Sequence, residues 1–211
     1  MGNDGLVDEL GAAGVGGKAL LRSRIRAERR LRPAAERAVA GALMAGHAPD
    51  LPLPARLDGC FVTCFMSLPT EPDTAALIES LRARGASVLV PRVAGQHLDW
   101  VELAPSTNMT SGPFGIREPL GDSVGRDGAP LAQCLALFLP ALAIDERGYR
   151  LGQGGGFYDR ALADLPSHRN GGPIRIAVVF ADEVLDRVPI DEHDCRVDLA
   201  LTEAGIRRFD G

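Results

Sequence analysis

Apolar positions along this chain recur at two spacings, a helical period near 3.6 and short unbroken runs, and the two alternate. Residues 18–31 carry Ala19, Leu20, Ile25 and Leu31 as apolar markers, with Arg22, Arg24, Arg26, Arg29 and Arg30 on the opposite faces, and predict an amphipathic helix. Pro33 suits the first turn of a second helix running to about Met44, because its fixed φ is already helical. A proline-rich loop over 49–54 follows, and then the run GCFVTCFM at 59–66 reads as a buried strand. Residues 72–84 predict a helix with Ala75, Leu77, Ile78 and Leu81 turned inward, and Gly85 ends it. Further strands are expected at 87–90, at 97–103 (half-buried, from its alternation), at 134–139, at 174–180 and at 197–202. A stiff loop spans 112–119, a glycine-rich loop spans 149–156, and a helix is expected over 157–165.

Strands alternating with helices predict an α/β sandwich with a largely parallel sheet. The length of 211 residues fits one domain over 18–203, preceded by a flexible leader at 1–17 and followed by a short tail at 204–211. In such sheets a ligand sits beyond the carboxyl ends of the strands. Polar segments fall there: Pro69-Thr70-Glu71 after the first strand, Pro91-Arg92 after the second, and residues from Asp145 onward after a later one. Asp194 lies just before the last strand.

Composition changes this picture in three ways. Aromatic residues are only 5% of the chain, so Leu, Val, Ile and Ala must build the core. The net charge of −5 argues against nucleic acid as a partner. No apolar run is long enough to span a membrane, and Asp4, Asp8 and Glu9 do not fit a signal peptide. A cytoplasmic protein acting on small molecules, as a monomer or weak dimer, is the expectation. Cys60, Cys64, Cys134 and Cys195 form no C-x-x-C pair and read as free thiols, with a zinc site from Cys60, Cys64 and a histidine as the weaker alternative. Finally, the chain uses 22 arginines and a single lysine, Lys18.

The leader AAGVGGKA invites a Walker A reading and fails it, because Ala12 and Ala19 stand where Gly and Ser or Thr are required. The loop from Arg150 to Arg160 is better suited to phosphate. Gly152, Gly154, Gly155 and Gly156 let backbone N–H groups converge on an anion. A helix begins directly after, Arg150 and Arg160 flank the loop, and Asp159 is placed to hold a Mg²⁺ that bridges phosphates. A plain glycine turn, with Tyr158 in the core and Asp159 as a helix-start charge, is the bland alternative. Phe157 occupies the third glycine position of the dinucleotide fingerprint, so that motif is not met. In the acidic run 189–198, Asp194 can complete a Mg²⁺ site with Asp159, or the run is solvated surface with His193 structural.

Five segments in order resemble the 5-formyltetrahydrofolate cyclo-ligase family: KALLR, LPTEPDTAALIESLRARGASVLVPR, GPFGIREP, LFLPALAIDERGYRLGQGGGFYDR and VPIDEHDCRVD. The resemblance implies a Rossmann-like three-layer α/β/α fold and an enzyme. Its reaction would use ATP and Mg²⁺ to convert 5-formyltetrahydrofolate to 5,10-methenyltetrahydrofolate, with release of ADP and phosphate. It implies ATP contacts from Lys18, Arg22, Arg150, Leu151, Gly152, Gln153, Gly154, Gly155, Gly156, Phe157 and Tyr158. It places the folate near Met66, Glu71, Phe114 and the loop 152–156, Mg²⁺ on Asp159 and Asp194, and Tyr158 and Arg150 at the reacting centre. Some members carry a basic residue inside the glycine loop, where this chain has Gln153 and Gly155, so anion binding here leans on backbone N–H groups, Arg150 and Lys18. For Glu71 a helix-start charge, and for Met66 and Phe114 simple core packing, are the alternatives. Two other classes stand beside the enzyme: a non-catalytic nucleotide- or folate-binding relative, and a small-molecule kinase or sugar-phosphate isomerase.

Overall fold

A computed structural model describes residues 14–112, 115, 117–191 and 194–209. Its centre is an eight-stranded sheet. The strands are β1 (Phe61–Thr63), β2 (Ser87–Ala94), β3 (His97–Glu102), β6 (Ser123–Arg126), β7 (Cys134–Pro140), β10 (Ile174–Val178), β12 (Leu199–Thr202) and β13 (Gly205–Arg208). They lie in the order β13-β12-β10-β7-β1-β2-β3-β6. The five from β12 to β2 are mutually parallel, and β13, β3 and β6 pair antiparallel at the two edges. A hairpin of β4 (Met109–Ser111) with β5 (Arg117–Pro119) and a small sheet of β11 (Val184–Leu185), β8 (Ala143–Asp145) and β9 (Arg150–Leu151) complete the strands.

The period of two along each parallel strand divides the core into two layers. In β7, Ala136 and Phe138 face the helices α2 (Ala34–His47) and α3 (Ala75–Ala83), meeting Met44, Leu77, Ile78 and Leu81. Leu137 and Leu139 face the other way, toward Leu131 of α4 (Gly128–Leu131) and Ala161 and Leu162 of α5 (Phe157–Leu162). This is the expected three-layer arrangement, built on aliphatic burial worth roughly 1.5–3 kcal/mol per large side chain. The N-terminal helix α1 (Gly14–Leu31) instead packs Leu21 and Ile25 onto the small sheet, against Leu142, Ala143, Leu151 and Val188.

Several elements differ from expectation for tertiary reasons. Helix α1 already includes residues 14–17, expected in the leader. Residues 205–208 are no tail: β13 returns antiparallel on β12 and closes that edge of the sheet. Strand β3 is buried at Leu98, Asp99, Trp100 and Val101, not on one face alone, and β6 pairs along its outer edge. Part of the loop expected at 112–119 is the strand β5. Arg29, placed on a polar face by its spacing, is 1% exposed and pairs with Glu183.

Candidate active site

The chain leaves β1 toward β2, β3 and β6 on one side, then returns to β7 on the other, so the order reverses between β1 and β7. At that switch point, beyond the carboxyl ends of β1, β2 and β7, lies a cavity of about 360 Å³. Phe65, Met66, Leu68 and Glu71 line it from the segment after β1, and Pro91, Arg92 and Val93 from β2. Opposite stand Arg150, the loop 152–156, and Phe157, Tyr158 and Asp159 of α5.

The glycine loop owes its path to two positive φ values, +103° at Gly154 and +66° at Gly156, which side-chain-bearing residues rarely adopt. Helix α1 holds it from behind. Arg22 Nε donates to the Gly152 carbonyl at 2.9 Å, and Arg26 Nη2 donates to the Gln153 carbonyl at 2.5 Å. Across a trans peptide the N–H points opposite to the C=O, so the N–H groups of Gln153 and Gly154 turn away from α1. Among the described residues, no acceptor meets the N–H groups of residues 152–156. That row of unpaired donors is what an anion nest needs.

The charged side chains around the loop are paired but not exhausted. Arg150 is buried, with Nη2 donating to Asp159 Oδ1 at 2.5 Å and Nη1 to the Pro140 carbonyl at 3.2 Å. Its Nε has no partner among the described residues. Lys18 Nζ donates to Asp191 Oδ2 at 2.7 Å and Asp194 Oδ2 at 2.5 Å, leaving one of its three N–H donors. Burial above all, and then the neighbouring Cys64 and Glu71, push the Tyr158 hydroxyl far above the ordinary range, with Arg150 working against them. It therefore stays protonated and can only donate or accept a neutral hydrogen bond near neutral pH. Its ring meets the buried Trp100 edge-on, with centroids 6.4 Å apart.

Glu71 is 5% exposed, with Oε2 accepting from Leu68 N at 2.9 Å and Oε1 from Gln153 Nε2 at 3.1 Å. Each oxygen keeps a further acceptor site beyond these bonds. The same cavity is also lined by Arg26, Arg92, Glu118, Arg150 and Asp159.

The structure brings together Met66, Glu71, Arg150, Gly152, Gln153, Gly154, Gly155, Gly156, Phe157, Tyr158 and Asp159 around one cavity. Lys18, Arg22 and Asp194 stand behind the loop rather than in the cavity wall. Leu151 turns its side chain into the small-sheet core with Leu21 and Ile25, leaving only its backbone near the loop. Phe114 and His193 lie outside the described residues. Asp145 is a structural hub, fully buried and accepting from the backbone N–H groups of Arg147, Tyr149 and Val188. Arg92, expected at the carboxyl end of the second strand, lines the cavity, whereas the sequence did not single out Arg26 and Glu118. Glu118 is buried beside the cavity with its carboxylate on Val93 N at 2.8 Å. For Arg26 a signal existed, because Lys18, Arg22 and Arg26 repeat at i, i+4 and i+8 on one helix face.

The donor chemistry fits a magnesium ion. Asp159 pairs with Arg150, and Asp191 and Asp194 pair with Lys18. Asp159 Oδ2 and Asp194 Oδ1 have no partner among the described residues. Both carboxylates also act on the Cys195 thiol, which burial chiefly pushes up. Among the described residues no three His, Cys, Asp or Glu side chains form a closed metal cage, and Mg²⁺ needs none, since it takes one or two carboxylates plus phosphate and water.

A doubly wound α/β sheet with a ligand cavity at its switch point, walled by a glycine loop and a buried carboxylate, defines the class of α/β proteins that bind phosphorylated or heterocyclic small molecules. The profile of the 5-formyltetrahydrofolate cyclo-ligase family matches residues 15–203, and the chain belongs to that family. It is 33% identical over 153 residues to the 5-formyltetrahydrofolate cyclo-ligase of Mycolicibacterium smegmatis, covering 70% of this chain and 75% of that one. The mouse 5-formyltetrahydrofolate cyclo-ligase is 31% identical over 147 residues, covering 67% and 72%. The solution structure of Aquifex aeolicus 5,10-methenyltetrahydrofolate synthetase superposes with a TM-score of 0.72 at 26% identity, over 92% of this chain and 94% of that chain.

Proposed function

We propose that this protein converts 5-formyltetrahydrofolate and ATP to 5,10-methenyltetrahydrofolate, ADP and phosphate in the cavity between the glycine loop and Glu71. The observation that carries this reading is the pairing of two chemistries on one cavity. The loop 152–156, with the unpaired N–H groups of Gln153 and Gly154 turned away from α1, lines it on one side, and the buried Glu71 carboxylate lines it on another.

The chemistry asks for both. The formyl oxygen is a poor leaving group, so N10 cannot close the ring unaided. Attack of that oxygen on the γ-phosphorus forms an O–P bond and breaks the bond to ADP, giving an iminium phosphate. The N10 lone pair then bonds to the former formyl carbon, the C–O bond breaks, phosphate leaves, and the N10 proton passes to solvent.

Phosphoryl transfer demands mainly positioning and charge neutralisation. The N–H groups of 152–156 cradle the phosphates, and Arg150 supplies a fixed cation at the loop's base. Lys18 offers its remaining N–H from behind the loop, where Arg22 braces the Gly152 carbonyl. Glu71 accepts from the N–H donors of the pterin, and Met66 and Phe65 supply apolar wall to the ring. Tyr158, held protonated, donates its hydroxyl to an oxygen of the reacting group rather than acting as a base. Asp159 and Asp194 hold Mg²⁺, which when bound offsets phosphate charge.

Purified protein with 5-formyltetrahydrofolate, ATP and Mg²⁺ gains the near-ultraviolet absorbance of a methenylfolate, and omission of any one component abolishes the gain. Folded protein that forms no product with all three present refutes the catalytic reading and leaves a binding relative of the family.

A further inference from the structure

Gln153 joins two parts of the site that no other side chain bridges among the described residues. Arg26 Nε on α1 donates to Gln153 Oε1 at 3.1 Å, and Gln153 Nε2 donates to Glu71 Oε1 at 3.1 Å. The amide has one accepting and one donating end. Flipped, it would set its carbonyl against a carboxylate and its NH₂ against a guanidinium, so the two charged neighbours leave one orientation. The same guanidinium holds the Gln153 carbonyl through Nη2. Gly152 and Gly154 flank this residue and add no stiffness of their own.

We infer that Arg26 is a positioning residue for substrate recognition: acting through Gln153, it fixes the plane of the Glu71 carboxylate that receives the pterin. This rests on the proposed function of the cavity. With Oε2 on Leu68 N and Oε1 on Gln153, both oxygens of Glu71 are held. Removing the Gln153 amide frees one of them and lets the carboxylate rotate. A bidentate acceptor that has lost its orientation recognises a planar pair of N–H donors poorly. Because Arg26 lies four residues after Arg22 on the face that braces the loop, one helix sets both the loop path and the orientation of the buried acid.

The test uses initial rates with each substrate varied separately, on the full chain. Gln153→Met keeps the backbone bond to Arg26 and removes the side-chain relay. It raises the KM for 5-formyltetrahydrofolate about tenfold, several times more than it changes the KM for ATP, because the backbone N–H of residue 153 that meets phosphate is kept. Arg26→Met raises the folate KM similarly, and the double variant is no worse than about twofold beyond the poorer single one, as members of one relay are not additive. Gln153→Lys gives Glu71 a donor that needs no orienting partner, so adding Arg26→Met to it, which still removes the brace on the residue-153 carbonyl, raises the folate KM by no more than about twofold instead of about tenfold. A purely structural role for Arg26 would not show that rescue. A folate KM within twofold of wild type in Gln153→Met, or full additivity in the double variant, overturns the relay while the cavity's function stands. A folded wild type that neither binds nor turns over 5-formyltetrahydrofolate overturns the function of the cavity and the relay's recognition role together.

Discussion

Replacing Arg29 by methionine tests how α1 is anchored to the rest of the molecule. Arg29 Nε and Nη2 donate to Glu183 Oε1 and Oε2 at 2.6 and 2.7 Å, and Nη2 also donates to the Ala141 carbonyl at 2.7 Å. The two side chains are 1% and 6% exposed. Methionine keeps much of the stem's volume but leaves the Glu183 carboxylate buried with, among the described residues, the Phe180 N–H at 2.9 Å as its remaining donor. Removing one partner of a buried pair costs about 3–5 kcal/mol, because the other charge is stranded. In a chain of this size each kcal/mol moves Tm by about 2–4 °C, so a fall of roughly 6–20 °C is expected in thermal unfolding. Burial already holds the Glu183 carboxyl above the usual carboxylate range, with Arg29 working against it. Without Arg29 it rises further, and the native state then binds a proton that the unfolded chain does not. Stability of the variant therefore increases as pH falls through the native value toward the unfolded one, and the deficit is smaller near pH 5 than near about pH 8. Urea unfolding of wild type and variant at both pH values measures this. Adding Glu183→Leu should recover about half the loss or more, because a well-packed apolar pair replaces an ion pair at little cost. A loss below about 1 kcal/mol near pH 8, or one independent of pH, would refute the reasoning.

Lys18→Arg should lower turnover about tenfold or more, roughly 1.4 kcal/mol, if the ammonium that donates to Asp191 and Asp194 meets phosphate as proposed, because a broad planar fork replaces it; unchanged kinetics place Lys18 in a purely structural role. Asp159→Asn should weaken Mg²⁺-dependent turnover with the circular dichroism of the fold retained, and near-normal activity removes Asp159 from the metal site. Burial pushes the Cys64 and Cys134 thiols up to about 12. Both should resist alkylation near neutral pH in the native state and react in denaturant, as read by mass spectrometry.

Much of the fold was legible in sequence because its strands are buried on both faces. A run such as LALFLP in β7 has nowhere to go but the centre of a covered sheet, and Ala136/Phe138 against Leu137/Leu139 already separates the two layers. The glycine loop was legible for a similar reason, since four glycines in five residues serve no packing purpose. Polar side chains were less readable. A helical period tells which residues share a face, but not which buried partner that face will meet. Arg29 therefore looked like a solvated residue until Glu183, 154 positions later, came to lie beside it. The return of β13 was likewise hidden, because four residues carry little pattern and their position depends on the exposed edge of β12.

Local rules thus determined the layers, the order of elements and the loop whose backbone donors stay unpaired, because those follow from periodicity and from which residues tolerate which φ and ψ. Only the tertiary structure decided what the charges do. It set Lys18 between two aspartates, Arg22 and Arg26 on consecutive loop carbonyls, and Gln153 between Arg26 and Glu71. Such pairings join residues far apart in the chain, and a charge takes its role from the low-dielectric surroundings and partners it meets there, which no local pattern encodes.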